Sequence, residues 1–147
     1  MTTTEPMSAP LPCAFARALL ARQASCPLAT MSLVSETERP LCASPVANAN
    51  CRTLGALLRE RATFALRLPP PATPLLHATE LRLQCGGLRG LAAALGDPEA
   101  PTADIHALVK RACDAFDGLL GIPYVTVVAA VVQWKGRPRA ARRGRRP

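Results

Sequence analysis

Apolar residues recur at helical spacing in four stretches of this chain and at an ambiguous spacing in a fifth. From Leu11 to Gln23, the residues Leu11, Phe15, Ala18, Leu19 and the aliphatic stem of Arg22 share one face, which predicts a short first helix. Leu54, Leu57, Leu58, Arg61, Ala62, Ala65 and Leu68 make the face of a second. Asn50 reads as its N-cap, and Pro69-Pro70-Pro71 stops it, because proline lacks an amide and clashes with the preceding turn. A third helix runs from about Leu76 to Leu95, with Leu81, Leu88, Leu91, Ala92 and Leu95 inward and Gly96-Asp97-Pro98 as its end. Gly86 and Gly87 lie in its middle, each costing about 1 kcal/mol relative to alanine.

The fourth stripe is the cleanest. Pro101-Thr102 opens it, Ile105, Leu108, Val109, Ala112, Phe116, Leu119 and Leu120 fill it, and Gly121 closes it. Residues 123–134, PYVTVVAAVVQW, carry the β-branched content of a strand. Val125, Val128, Ala129 and Val132 also fit a helix with Pro123 in its first turn. No other segment offers an obvious strand partner, so a helix is expected.

Two kinds of segment break the helical pattern. Residues 24–50 hold three prolines, many small polar residues and no sustained period. They predict a long irregular loop, and loops of that length are usually functional or unstructured. A metal site would give this one a reason to be ordered. Residues 1–10 and 135–147 are too polar, or too rich in proline, glycine and charge, to fold alone. The expected architecture is therefore all-α: a single domain over residues 11–134, a small bundle of four to five helices, with a disordered N-terminus and a disordered basic tail.

Charge sharpens that division. The formal net charge is +8, and residues 135–147 supply seven of it without a single acid. The body is nearly neutral, so the basic character belongs to the tail. Its arginines suit phosphates of nucleic acid, with salt-sensitive affinity, although no aromatic residue interleaves with them for base stacking. Arginine, alanine and proline are all abundant, which a GC-rich bacterial genome writes into any reading frame, so their counts carry little functional weight. No apolar run reaches membrane-spanning length and no signal-peptide pattern opens the chain, which predicts a cytoplasmic protein.

In a reducing compartment, six cysteines favour free thiols or metal ligands over disulfides. Four of them stand beside chain-bending or helix-starting residues. Cys26 precedes Pro27, Cys42 lies three before Pro45, Cys51 opens a helical pattern, and Cys85 is followed by Gly86-Gly87. A cysteine at a helix start has its thiolate favoured by free amides, and glycine amides can hydrogen-bond to cluster sulfurs. The spacings match no zinc ribbon or ferredoxin pattern, since 15, 8 and 33 residues separate the four. Cysteine also packs as a small hydrophobe, and Cys13 and Cys113, on or beside apolar faces, read that way. His77 reads as a helix-start residue able to replace one cysteine ligand, and His106 as a surface residue. Serine-hydrolase, metalloprotease and nucleotide-binding motifs are absent.

These features point to a small accessory protein that holds an iron–sulfur cluster or zinc through Cys26, Cys42, Cys51 and Cys85, acting with an unidentified protein partner. The alternatives are a nucleic-acid accessory protein acting through residues 135–147, and a helical protein–protein adaptor without a cofactor.

Overall fold

Ser44 fixes where the longest helix begins. Its Oγ accepts the Ala47 amide at 3.1 Å, and Pro45 follows at the first helical position, where a missing N–H costs nothing. In the computed structural model, which describes residues 11–34, 36–97 and 103–136, this helix is α2, Pro45–Leu66. The expected cap at Asn50 is therefore corrected: Asn50 lies inside α2. The helix ends at Arg67, in the left-handed region at φ 54°, where Leu68 N–H reaches the Thr63 carbonyl at 3.0 Å.

The other helices are α1 (Ala16–Leu20), α3 (His77–Ala94), α4 (Ile105–Ala115) and α5 (Tyr124–Gln133). Helix α4 starts at Asp104, whose Oδ1 accepts the Ala107 amide at 3.1 Å, and it stops at Ala115. The chain then turns through Asp117 and Gly118, both at positive φ, so Leu119–Gly121 form a separate 3-10 turn rather than the end of α4. The expected start at Pro101-Thr102, Pro98, residues 1–10 and the tail from Arg137 onward lie outside the described residues.

The chain is mostly helical, but the all-α expectation is corrected by a small sheet. Strands β1 (Leu11–Pro12), β3 (Ala29–Val34) and β4 (Thr37–Cys42) form an antiparallel sheet in the order β1-β4-β3, and β2 (Ala24–Ser25) pairs in parallel with β5 (Ala103–Asp104). Residues 24–50, expected to be irregular, are thus a hairpin followed by the first turns of α2. Helical order between Leu11 and Gln23 is confined to Ala16–Leu20. Met31 and Leu33 on β3 are 51% and 69% exposed, so the hairpin presents no buried alternating face for the eye to find.

The principal core joins Phe15 and Leu19 of the α1 region to Leu54 and Leu58, Leu88 and Leu91, Ile105 and Leu108, and Val127. Helix α3 holds the longest buried run among the described residues, Leu83–Leu88 with Gly90, Leu91 and Ala92, and small residues let α5 pack closely on it. A Cβ added at Gly86 would lie 2.7 Å from Val131 Cα, and one at Gly90 would lie 2.7 Å from Val127 Cα. The two glycines, four apart on α3, meet two valines four apart on α5. Arg82 completes the seam, donating Nε to the Val131 carbonyl at 3.0 Å and Nη2 to the Val132 carbonyl, which satisfies acceptors at the end of α5. No helix among the described residues is long and apolar enough to cross a membrane.

Candidate thiol cluster

Strand pairing draws together cysteines that are distant in sequence. Cys42 ends β4 and has Leu11 as its cross-strand partner on one side and Ala29 on the other. Two residues past Leu11, Cys13 donates its amide to the Pro40 carbonyl at 3.0 Å, and three before Ala29, Cys26 accepts the Ala29 amide at 3.1 Å. Helix α2 is tied to the same end of the sheet by Asn48, whose Nδ2 donates to the Pro12 carbonyl at 2.8 Å. Cys51 follows one turn later.

The Cys51 thiol consequently lies within electrostatic reach of the thiols of Cys13, Cys26, Cys42 and Cys113. Burial, reinforced by those neighbours, pushes the Cys51 thiol up to about 12. Burial also raises Cys13, opposed by the Phe15 amide, which donates to Cys13 Sγ at 3.4 Å, and helped by Cys26 and Cys42. Cys42 Sγ donates to the Ser44 carbonyl at 3.3 Å. All six cysteines are free thiols. Because α2 begins at Pro45, Cys51 sits in its second turn with no unpaired amides at hand. The helix-start argument for a Cys51 thiolate does not apply.

Cys113 approaches from α4. It shares with Cys51 a groove of ≈ 200 Å³ that His106, Lys110 and Asp114 also line. Its thiol is raised by burial and then by Asp114. His106, expected at the surface, is half-buried in this groove, whereas His77 is exposed, with Arg17 Nη1 2.7 Å from its Nδ1.

Cys85 stands apart on α3. It is 5% exposed within the core, and burial, opposed by Arg89, pushes it up to about 11. It is not among the thiols that act on Cys51. The glycines after it have a packing role: Gly86 admits Val131, and a Cβ at Gly87 would lie 2.7 Å from a Leu58 methyl. Of the four cysteines expected to converge, Cys26 and Cys42 lie within electrostatic reach of Cys51 and Cys85 does not, while Cys13 and Cys113 lie within that reach as well. As the side chains stand, no three His, Cys, Asp or Glu residues among those described form a group able to hold a metal ion.

One residue in this neighbourhood carried no signal in the sequence. Asn48 is 1% exposed, and its Oδ1 has no hydrogen-bond partner. A buried orphan acceptor is unusual enough to need a reason, and a bound water or ion is one. Searches of family models, curated proteins and solved structures find no match to this chain.

Proposed function

We propose that this chain is a small non-enzymatic protein that takes up a thiophilic metal ion through Cys13, Cys26, Cys42 and Cys51, with Cys113 at the rim. In this reading Cys13 takes the place expected for Cys85. The observation that carries it is the position of Cys51, whose thiol feels four others brought from the residue after β1, the β2–β3 turn, β4 and α4. Chance packing of small hydrophobes gives no reason for one thiol to lie within electrostatic reach of four others.

Binding requires the thiols to turn about χ1 into alternative staggered rotamers, because as the side chains stand they do not converge on one point. It also expels protons from Cys13 and Cys51, whose thiols burial holds protonated, so affinity rises with pH. Zinc suits this donor set, with tetrahedral thiolate ligation at about 2.3 Å. The free Oδ1 of Asn48, one turn before Cys51, offers an acceptor that orients a bound water or a ligand from outside the coordination sphere.

The test is titration of reduced, anaerobic protein with cobalt and zinc. One ion per chain, with thiolate-to-cobalt charge-transfer absorbance, is expected for the native chain and for Cys85→Ala. Cys51→Ser should lose it. A brown protein containing iron and sulfide would place an iron–sulfur cluster on the same thiols. Failure to take up any metal, or equal loss in Cys85→Ala and Cys51→Ser, overturns this reading.

A further inference from the structure

A second cavity lies away from the thiols, between α2, α3 and the start of α1, with a volume of ≈ 290 Å³. That is the lower end of the range for small-molecule pockets. Phe15, Leu58, Leu75 and Leu83 give it apolar walls. Gly55 keeps it open, since a Cβ there would meet no atom within 4 Å. Unlike the glycines of α3, which admit a neighbouring helix, this one faces empty space.

The rim is cationic. Arg52 and Arg59 flank Gly55 on one face of α2, three residues before it and four after. The carboxylate across from them, Glu80, is already taken: its Oε1 accepts from Arg17 Nε at 2.7 Å. That is the one ion pair among the described residues, so neither Arg52 nor Arg59 has an acidic partner. Arg59 is held in place, its Nη2 donating to the carbonyls of Pro69, Pro70 and Thr73 at 3.3, 2.7 and 2.7 Å, which ties the α2–α3 connection to α2. Its Nε is buried without a hydrogen-bond partner. Arg52 is exposed and free to reach across the mouth.

From these features we infer that the cleft binds a small amphiphilic carboxylate, its apolar body against Phe15, Leu58 and Leu83 and its carboxylate at the two guanidinium groups. Guanidinium recognises carboxylate through paired, charge-assisted hydrogen bonds, and the apolar wall selects against free inorganic anions. This site is independent of the thiol cluster and stands or falls separately from it.

The experiment is a titration of the full chain with octanoate, octan-1-ol and octyl phosphate, followed by amide chemical shifts. Octanoate should bind saturably and shift residues around Gly55 and Leu83, with octan-1-ol at least about tenfold weaker. Arg52→Gln should weaken octanoate by about tenfold, the loss of one charge-assisted contact. Gly55→Leu should abolish binding while keeping or raising the melting temperature, because the side chain fills the cleft and improves the helix. Equal binding of octanoate and octan-1-ol, or octanoate binding that survives Gly55→Leu, overturns the proposal. Tighter binding of octyl phosphate would overturn the carboxylate assignment.

Discussion

Gly90 and Val127 meet backbone to backbone: a Cβ on Gly90 would lie 2.7 Å from the Val127 Cα and 2.8 Å from its carbonyl oxygen. Neither of those atoms can move without displacing α5. Gly90→Ala should therefore destabilise by about 1–3 kcal/mol, the usual cost of overpacking, although alanine is worth about 1 kcal/mol to an isolated helix. Gly55→Ala, with nothing in its way, should show the helix gain alone and stabilise by about 0.5–1 kcal/mol. Urea unfolding of the two variants separates them by sign. Shifts of the same sign would mean that the α3–α5 seam is not packed as described.

The start of α2 gives a second contrast. Ser44 Oγ caps the helix, while Asn50 is an exposed interior residue. Ser44→Ala should cost about 1 kcal/mol, and Asn50→Ala should stay within about 0.5 kcal/mol. A larger cost at Asn50 than at Ser44 would move the helix start back to where the apolar pattern alone puts it.

That residues 123–134 hold a helix was legible in the sequence, but its buried face was not. Tyr124, Val127 and Val131 face inward, whereas Val125 and Val132 of the expected stripe are 88% and 40% exposed. The hairpin was not legible at all. Val127 and Val131 must match Gly90 and Gly86, which lie four residues apart on α3. Four residues of helix rise about 6 Å and four of strand about 13 Å, so only a helix keeps both contacts. Residues 29–42 carry no equivalent constraint. Met31 and Leu33 point to solvent, and Pro40 sits inside β4, where proline ordinarily argues against a strand. The same gap hid the thiol site. Local context marked Cys26, Cys42 and Cys51, but Cys13 joins them only through the β1–β4 pairing, and Asn48 only through its bond to Pro12. Cys85 carried a glycine signal whose cause was the neighbouring helix.

Cys85 also predicts a pH dependence. Burial raises its folded-state value to about 11 from an ordinary 9.0. Between those values the folded chain keeps a proton that the unfolded chain has released, so stability is full below about pH 9 and falls as pH rises towards 11. The slope is on the order of 1 kcal/mol per pH unit for one such group. Chemical denaturation at pH 8.5 and pH 10.5 should show a smaller loss in Cys85→Ala than in the native chain. An identical loss in both would remove Cys85 as a source.

Metal uptake has a thermodynamic signature that does not depend on colour. A ligand that binds only the folded chain stabilises it by RT ln(1 + [L]/Kd), about 2.7 kcal/mol at one hundred times Kd. Zinc added to reduced protein should raise the melting temperature progressively, and a chelator should reverse the rise. Cys51→Ser should be insensitive to zinc, because it removes the thiol within electrostatic reach of the other four. Cys85→Ala should melt lower than the native chain without metal yet show the same zinc-induced rise. Cys113→Ser separates the rim from the centre: a retained but reduced rise places Cys113 outside the coordination sphere, and a complete loss makes it a ligand. A melting temperature in the native chain that ignores zinc would leave the gathered thiols as packing alone.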